Sequence, residues 1–142
     1  MEESLTGRER ERAENPADMN ALTLAYIGDA VFELEVRSYM LQHGSQKVEK
    51  LHRRVTFFVN AASQSRLVGI LEPVFTEEEN SVYHRGRNSK TLTPAKHQTI
   101  GDYRRATGLE AVFGYLYLKG DRSRIEELLA LCFPEAEQER TG

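Results

Sequence analysis

Apolar residues recur at helical spacing along most of the chain, and the places where that rhythm breaks divide it into segments. From residue 20 to about 43, Leu22, Leu24, Ala25, Ile27, Val31 and Leu34 follow a helical period, which predicts a long first helix ended by Gly44. Further helices are expected over 48–59 and 61–71, the second closed by Pro73, because proline has no N–H with which to continue the ladder. Thr76 followed by Glu77, Glu78 and Glu79 has the spacing of a capping box, with acids in the first turn where the helix dipole favours them. That start predicts a helix running to about Arg85. Residues 86–96, GRNSKTLTPAK, hold turn formers without apolar periodicity and read as a loop. A helix over 99–119 carries Leu109, Val112, Phe113 and Leu116 on one face and stops at Gly120, and a last helix covers 123–132. No segment alternates as a half-buried strand does, so the expected class is all-α, with no internal repeat.

Composition narrows the picture. At 142 residues, with 39% hydrophobic and 29% charged residues, the chain is expected to form one globular domain over 18–134. Residues 1–17, rich in Glu and Arg, and residues 135–142 are expected to be flexible tails. The longest nearly uncharged stretch, residues 19–32, contains Asp29 and is too short for a bilayer helix. The acidic N-terminus has no basic segment leading into an apolar core, so no secretory signal is expected and the cytoplasm is the default location. A single Cys132 in the run LLALCF has no internal disulfide partner and reads as a packed thiol.

The net charge of −3 argues at first against a nucleic-acid partner, since phosphate binders use Lys and Arg. Distribution reverses that inference. Between residues 85 and 105 stand Arg85, Arg87, Lys90, Lys96, Arg104 and Arg105 against Asp102 alone, so a basic patch persists within an acidic chain.

Two apolar helical stretches each contain an isolated acid. Asp29 is the only charged residue between Asp18 and Glu33, and Glu110 the only one between Arg105 and Lys119. An ionised carboxylate on an apolar face needs a salt bridge, hydrogen bonds or a cation. Small residues accompany both: Ala21, Ala25 and Gly28 on the first helix, and Thr107, Ala111 and Gly114 on the later one, at i, i+4 and i+7. Such stripes allow two backbones to approach closely, which would bring Asp29 and Glu110 to the rim of one seam. Two converging carboxylates suit Mg²⁺, which prefers oxygen ligands and retains waters. The residues alone leave this reading open beside that of two separately hydrogen-bonded acids. Glu33, one turn after Asp29, is expected to pair with Arg37 instead.

These motifs are similar to a known family. LTLAYIGDAVFELEVR, residues 22–37, resembles the ribonuclease III signature around Gly-Asp-Ala, and GLEAVFGYLYL, residues 108–118, resembles that family's second acidic motif. RGRNSK, residues 85–90, resembles the Mini-ribonuclease III branch, which has no separate double-stranded-RNA-binding domain. The resemblance implies a helical endonuclease domain and hydrolysis of both strands of an RNA duplex by a homodimer, leaving 5′-phosphate ends. It places the metal-binding and catalytic roles on Asp29 and Glu110, with Mg²⁺ as the ion and Mn²⁺ as its substitute. It further implies a precursor large-subunit (23S) ribosomal RNA as substrate and leaves room for a ribosomal-protein helper. Ala25 and Thr107 stand where longer family members carry acids, which opens the number of ligands and ions.

A catalytic domain alone must grip the duplex itself, chiefly at phosphates and 2′-hydroxyls. Three groups of residues are candidates: Lys50, His52, Arg53 and Arg54; Arg85, Arg87, Asn88 and Lys90; and Lys96 with His97. The histidines are scattered, no His-Asp dyad or zinc spacing occurs, and there is no Walker loop. Two rival readings remain: a non-catalytic double-stranded-RNA-binding or ribosome-assembly module of the same fold, and a helical metal-dependent hydrolase of small nucleotides.

Overall fold

A computed structural model describes residues 15–44, 47–89 and 99–133, and these are helical with no strand among them. The helices are α1 (Ala21–Gln42), α2 (Val48–Phe58), α3 (Ala61–Leu71), α4 (Glu77–Asn88), α5 (Ile100–Lys119) and α6 (Arg122–Cys132). Asn20 caps α1 by accepting from the Leu22 and Thr23 N–H groups, and Thr76 and Glu79 complete the capping box read from the sequence. Gly120, at φ 84°, ends α5 in a left-handed cap, with its N–H bonded to the Tyr117 carbonyl and that of Asp121 to Leu116.

Helix α5 is the central element. Its Leu109, Ala111, Val112, Phe113 and Leu116 are fully buried, with α1, α3, α4 and α6 packed around it. Phe32 of α1 meets Phe113 edge to face, the ring centroids 5.1 Å apart. Cys132 lies in this core, where burial pushes its thiol up to about 12, in keeping with a packed, unreactive group.

Two expectations need correction, and one turn was not foreseen. Residues 16 and 17 were placed in a flexible tail, whereas Pro16–Asp18 form a 3-10 turn capped by Asn15. The remaining tail residues, 1–14 and 135–142, lie outside the described residues. Helix α4 does not end near Arg85 but runs on to Asn88, so Arg87 and Asn88 are helical rather than part of a loop. The reason is Gly86. A Cβ there would stand 2.9 Å from the Gly108 Cα and 3.0 Å from the Ala111 Cβ, so this glycine serves a close helix crossing, not a turn. The unforeseen element is the 3-10 turn Glu72–Val74 after α3; it contains Pro73, which does close α3.

One buried ion pair braces the base of the bundle. Glu79, 2% exposed, receives hydrogen bonds from Arg124 Nε and Nη2 at 2.9 and 2.8 Å, and Arg124 also reaches the Val74 carbonyl. Burial alone would raise the Glu79 carboxyl, but Arg124 and the Thr76 N–H outweigh it and hold the group below its ordinary value. A carboxyl lowered by folding contributes stability above its unfolded pKa and loses it as pH falls through the folded one. Arg124→Met is therefore expected to cost about 3 kcal/mol at neutral pH, because it strands a buried charge. In urea denaturation the deficit should narrow once the pH drops below the usual carboxylate range; a deficit constant with pH would contradict this account.

Candidate active site

The site is made by a backbone-to-backbone crossing of α1 and α5. A Cβ on Gly28 would overlap the Glu110 carbonyl oxygen and lie 2.9 Å from the Gly114 nitrogen. One on Gly114 would overlap the Leu24 carbonyl oxygen. Only glycine permits this approach, so the two seams of small residues seen in the sequence do face each other. Asp29 follows Gly28 directly, and the carbonyl that Gly28 accommodates belongs to Glu110.

The two carboxyl groups meet across the crossing. Glu110 is largely buried and Asp29 exposed at the rim. Glu110 is pushed up to about 8, first by burial, then by its hydrogen-bond contact with Asp29 and the charge of that residue, against an opposing hydrogen bond from Gln64. Left to itself beside Asp29, the Glu110 carboxyl is therefore biased towards holding a proton. A cation between them would do what the proton does. Gln64 Nε2 donates to Glu110 Oε2 at 3.3 Å. Glu33 takes no part in the contact, since its Oε2 accepts from Arg37 Nη2 at 2.8 Å, the expected i, i+4 pairing.

Among the described residues no further acid joins the pair. Ala25 is buried at the seam, and Thr107 is buried with its hydroxyl donating to the Tyr103 carbonyl at 2.9 Å. Among the described residues there is no cluster of three or more His, Cys, Asp or Glu side chains able to hold a metal. What the arrangement offers is two carboxylates of hard oxygen donors.

The basic candidates are distributed over two helices. Lys50, His52 and Arg53 are exposed on α2 and Arg54 is half-buried there. On α4, the Arg87 guanidinium lies over the Tyr83 ring, 5.8 Å from its centroid, and its Nε donates to Asn88 Oδ1 at 3.3 Å. Arg85 is committed differently. Its Nη1 donates to the Met19 carbonyl at 3.0 Å and its Nη2 to that of Ala17, which ties α4 to the turn preceding α1. Lys90, Lys96 and His97 lie outside the described residues.

Sequence reasoning missed Gln64, although a signal was present. Ala61, Gln64, Leu67, Val68 and Leu71 share the buried stripe of α3, and an amide on an apolar stripe implies a polar partner.

An all-helical domain with paired acids on crossing helices, one inside an Ile-Gly-Asp-Ala run, is a candidate hydrolytic site, and similarity to known proteins gives it a family. Residues 22–121 match the Ribonuclease III domain. The chain belongs to the ribonuclease III family, and with membership comes the reaction class, endonucleolytic cleavage of RNA. Within it the chain is similar to proteins named Mini-ribonuclease 3. The chain is 46% identical over 114 residues to Mini-ribonuclease 3 of Clostridium tetani, which covers 80% of this chain and 76% of that protein. It is 48% identical over 108 residues to Mini-ribonuclease 3 of Desulfitobacterium hafniense, across 76% of this chain and 68% of the relative. A crystal structure of a Fusobacterium nucleatum protein superposes with a TM-score of 0.77 at 32% identity, covering 92% of this chain and 99% of that one. Among the described residues no helix is long and apolar enough to cross a membrane.

Proposed function

We propose that this chain is a cytoplasmic homodimer that hydrolyses double-stranded RNA with one Mg²⁺, replaceable by Mn²⁺, at each Asp29–Glu110 pair. The observation that carries the reading is the convergence of those two acids, from positions 81 residues apart, on a seam that only glycines allow. The donor set fits the ion. Mg²⁺ is commonly held by one or two carboxylates and completes its shell with water and substrate phosphate oxygens. Its positive charge would also offset the burial and the neighbouring Asp29 charge that push Glu110 up.

When bound, the ion supplies polarisation of the scissile phosphate and a more acidic water. The protein's own residues do the rest. Asp29 and Glu110 hold the ion at the rim, where a duplex backbone can reach it. Lys50, His52, Arg53 and Arg54 on α2, with Arg87, Asn88, Lys90 and Lys96, are assigned to phosphate and 2′-hydroxyl contacts, which fix the register of an A-form duplex without reading its sequence. Arg85 is reassigned to holding the start of α1. By resemblance to the Mini-ribonuclease III branch, the substrate is a duplex stem of precursor 23S ribosomal RNA, delivered with or without a ribosomal-protein helper.

The direct test is incubation of a long RNA duplex, and of its separated strands, with the protein in Mg²⁺ and in chelator. Cleavage of the duplex alone, only with Mg²⁺, and with 5′-phosphate ends is expected. Binding without cleavage would favour the RNA-binding module instead, and preference for mononucleotides the small-nucleotide hydrolase.

Dimerisation is supported by α1. Leu22, Tyr26 and Leu34 line its exposed side at four- and eight-residue spacing next to Asp29, with Tyr26 80% exposed. An apolar stripe of this kind beside a catalytic acid suits coverage by a second copy. Tyr26→Glu is expected to convert a sedimenting dimer to a monomer and to reduce cleavage of both strands. A wild-type chain that sediments as a monomer at micromolar concentration would remove the dimer from the proposal.

A further inference from the structure

We infer that Gln64 is the positioning residue of the site, holding the Glu110 carboxylate in the orientation from which it and Asp29 share a cation. This rests on the metal-binding reading above and adds to it a residue from a third helix.

Gln64 is 3% exposed and lies among Ala61, Leu67, Val68 and Leu71 on the buried face of α3, where an apolar side chain would pack without desolvating an amide. A buried amide is unfavourable unless bonded. Its partner is the site itself, Glu110 Oε2, 3.3 Å from Nε2.

The first turn of α3 is locked so that this reach is reproducible. Asn60 accepts from the Ser63 N–H, and the buried Ser63 hydroxyl donates to the Phe57 carbonyl at 2.6 Å, tying the turn to the end of α2. A carboxylate offers about four lone-pair sites, so one amide donor fixes its plane and leaves the others for a metal. The amide is also neutral. A lysine here would replace the cation, whereas Gln64 orients the acid without discharging it. Partners that orient a metal ligand in this way typically change metal affinity by about 10- to 100-fold when removed.

The experiment is calorimetric titration of Mn²⁺ into the full chain without RNA, for wild type, Gln64→Met and Gln64→Glu, alongside thermal melts in chelator and in Mn²⁺. Gln64→Met retains side-chain length and loses the donor. Its Mn²⁺ affinity is expected to fall about 10- to 100-fold, while its melting temperature in chelator stays near wild type. In an enzyme assay the loss should appear in kcat at subsaturating Mn²⁺ and not in the KM for RNA. A folded Gln64→Met that binds Mn²⁺ as wild type does would overturn the inference.

Should Gln64→Met not fold, Gln64→Glu decides. A third carboxylate against Glu110 must make the chain gain more melting temperature from added Mn²⁺ than wild type gains, and an equal gain would overturn the assignment. The two levels fail differently. Wild type that binds no Mn²⁺ sinks the metal site and Gln64 with it, whereas wild type that binds while the variants match it sinks Gln64 alone.

Discussion

Asp29→Asn is expected to abolish measurable cleavage of an RNA duplex in Mg²⁺ while leaving the fold and duplex binding in place. The substitution preserves side-chain shape and removes one of the two anionic donors that the described residues bring to the α1–α5 crossing. Metal-assisted stabilisation of a phosphoryl transition state amounts to several kcal/mol, so the rate should fall by about a thousand-fold, on the order of 4 kcal/mol. Binding should survive, because the phosphate contacts proposed for this chain are made by Lys and Arg on other surfaces. Removing the crowding charge should also leave the apo-protein no less stable. A filter-binding assay paired with cleavage kinetics separates these effects. Retention of more than about a tenth of the wild-type rate would mean that Asp29 is not a ligand in the reacting complex.

Gly28→Ala is expected to be among the most destabilising single substitutions in the chain. The added methyl would overlap the Glu110 carbonyl oxygen, which belongs to a helix backbone and has no rotamer by which to move aside. Overpacking of a core typically costs about 1–3 kcal/mol, and a backbone clash belongs at or above the top of that range. At roughly 2–4 °C per kcal/mol for a domain of this size, the melting temperature should drop by about 10 °C. Gly114→Ala should behave alike. Gly69 provides the control, since a Cβ there meets nothing within 4 Å. Gly69→Ala should stabilise α3 by up to about 1 kcal/mol. If Gly28→Ala and Gly69→Ala had similar effects, the close crossing would be wrong.

These two substitutions mark what was legible in the sequence. Helix periodicity, the Thr76 capping box and the Gly120 stop are local signals, and apart from the C-terminal end of α4 the helices stand close to where those signals place them. The α1–α5 seam was legible because two stripes of small residues each adjoined an isolated acid. Gly86 was misread because a glycine in a polar stretch has the same local signature whether it makes a turn or admits a neighbouring helix, and Gly108, which decides the matter, lies 22 residues away. Arg85, grouped in the sequence with the basic candidates, also donates to the backbone carbonyls of Ala17 and Met19, contacts invisible to a reading of side-chain types. Gln64 carried a usable sign in its place on an apolar stripe, but its partner sits 46 residues further on.

The most direct test of the shared-cation claim is a crystal of the protein soaked in Mn²⁺ and measured for anomalous scattering. The account predicts one peak per chain between the Asp29 and Glu110 carboxylates, with Gln64 still bonded to Glu110. A peak held by other residues, or none at that crossing at a saturating Mn²⁺ concentration, would contradict it.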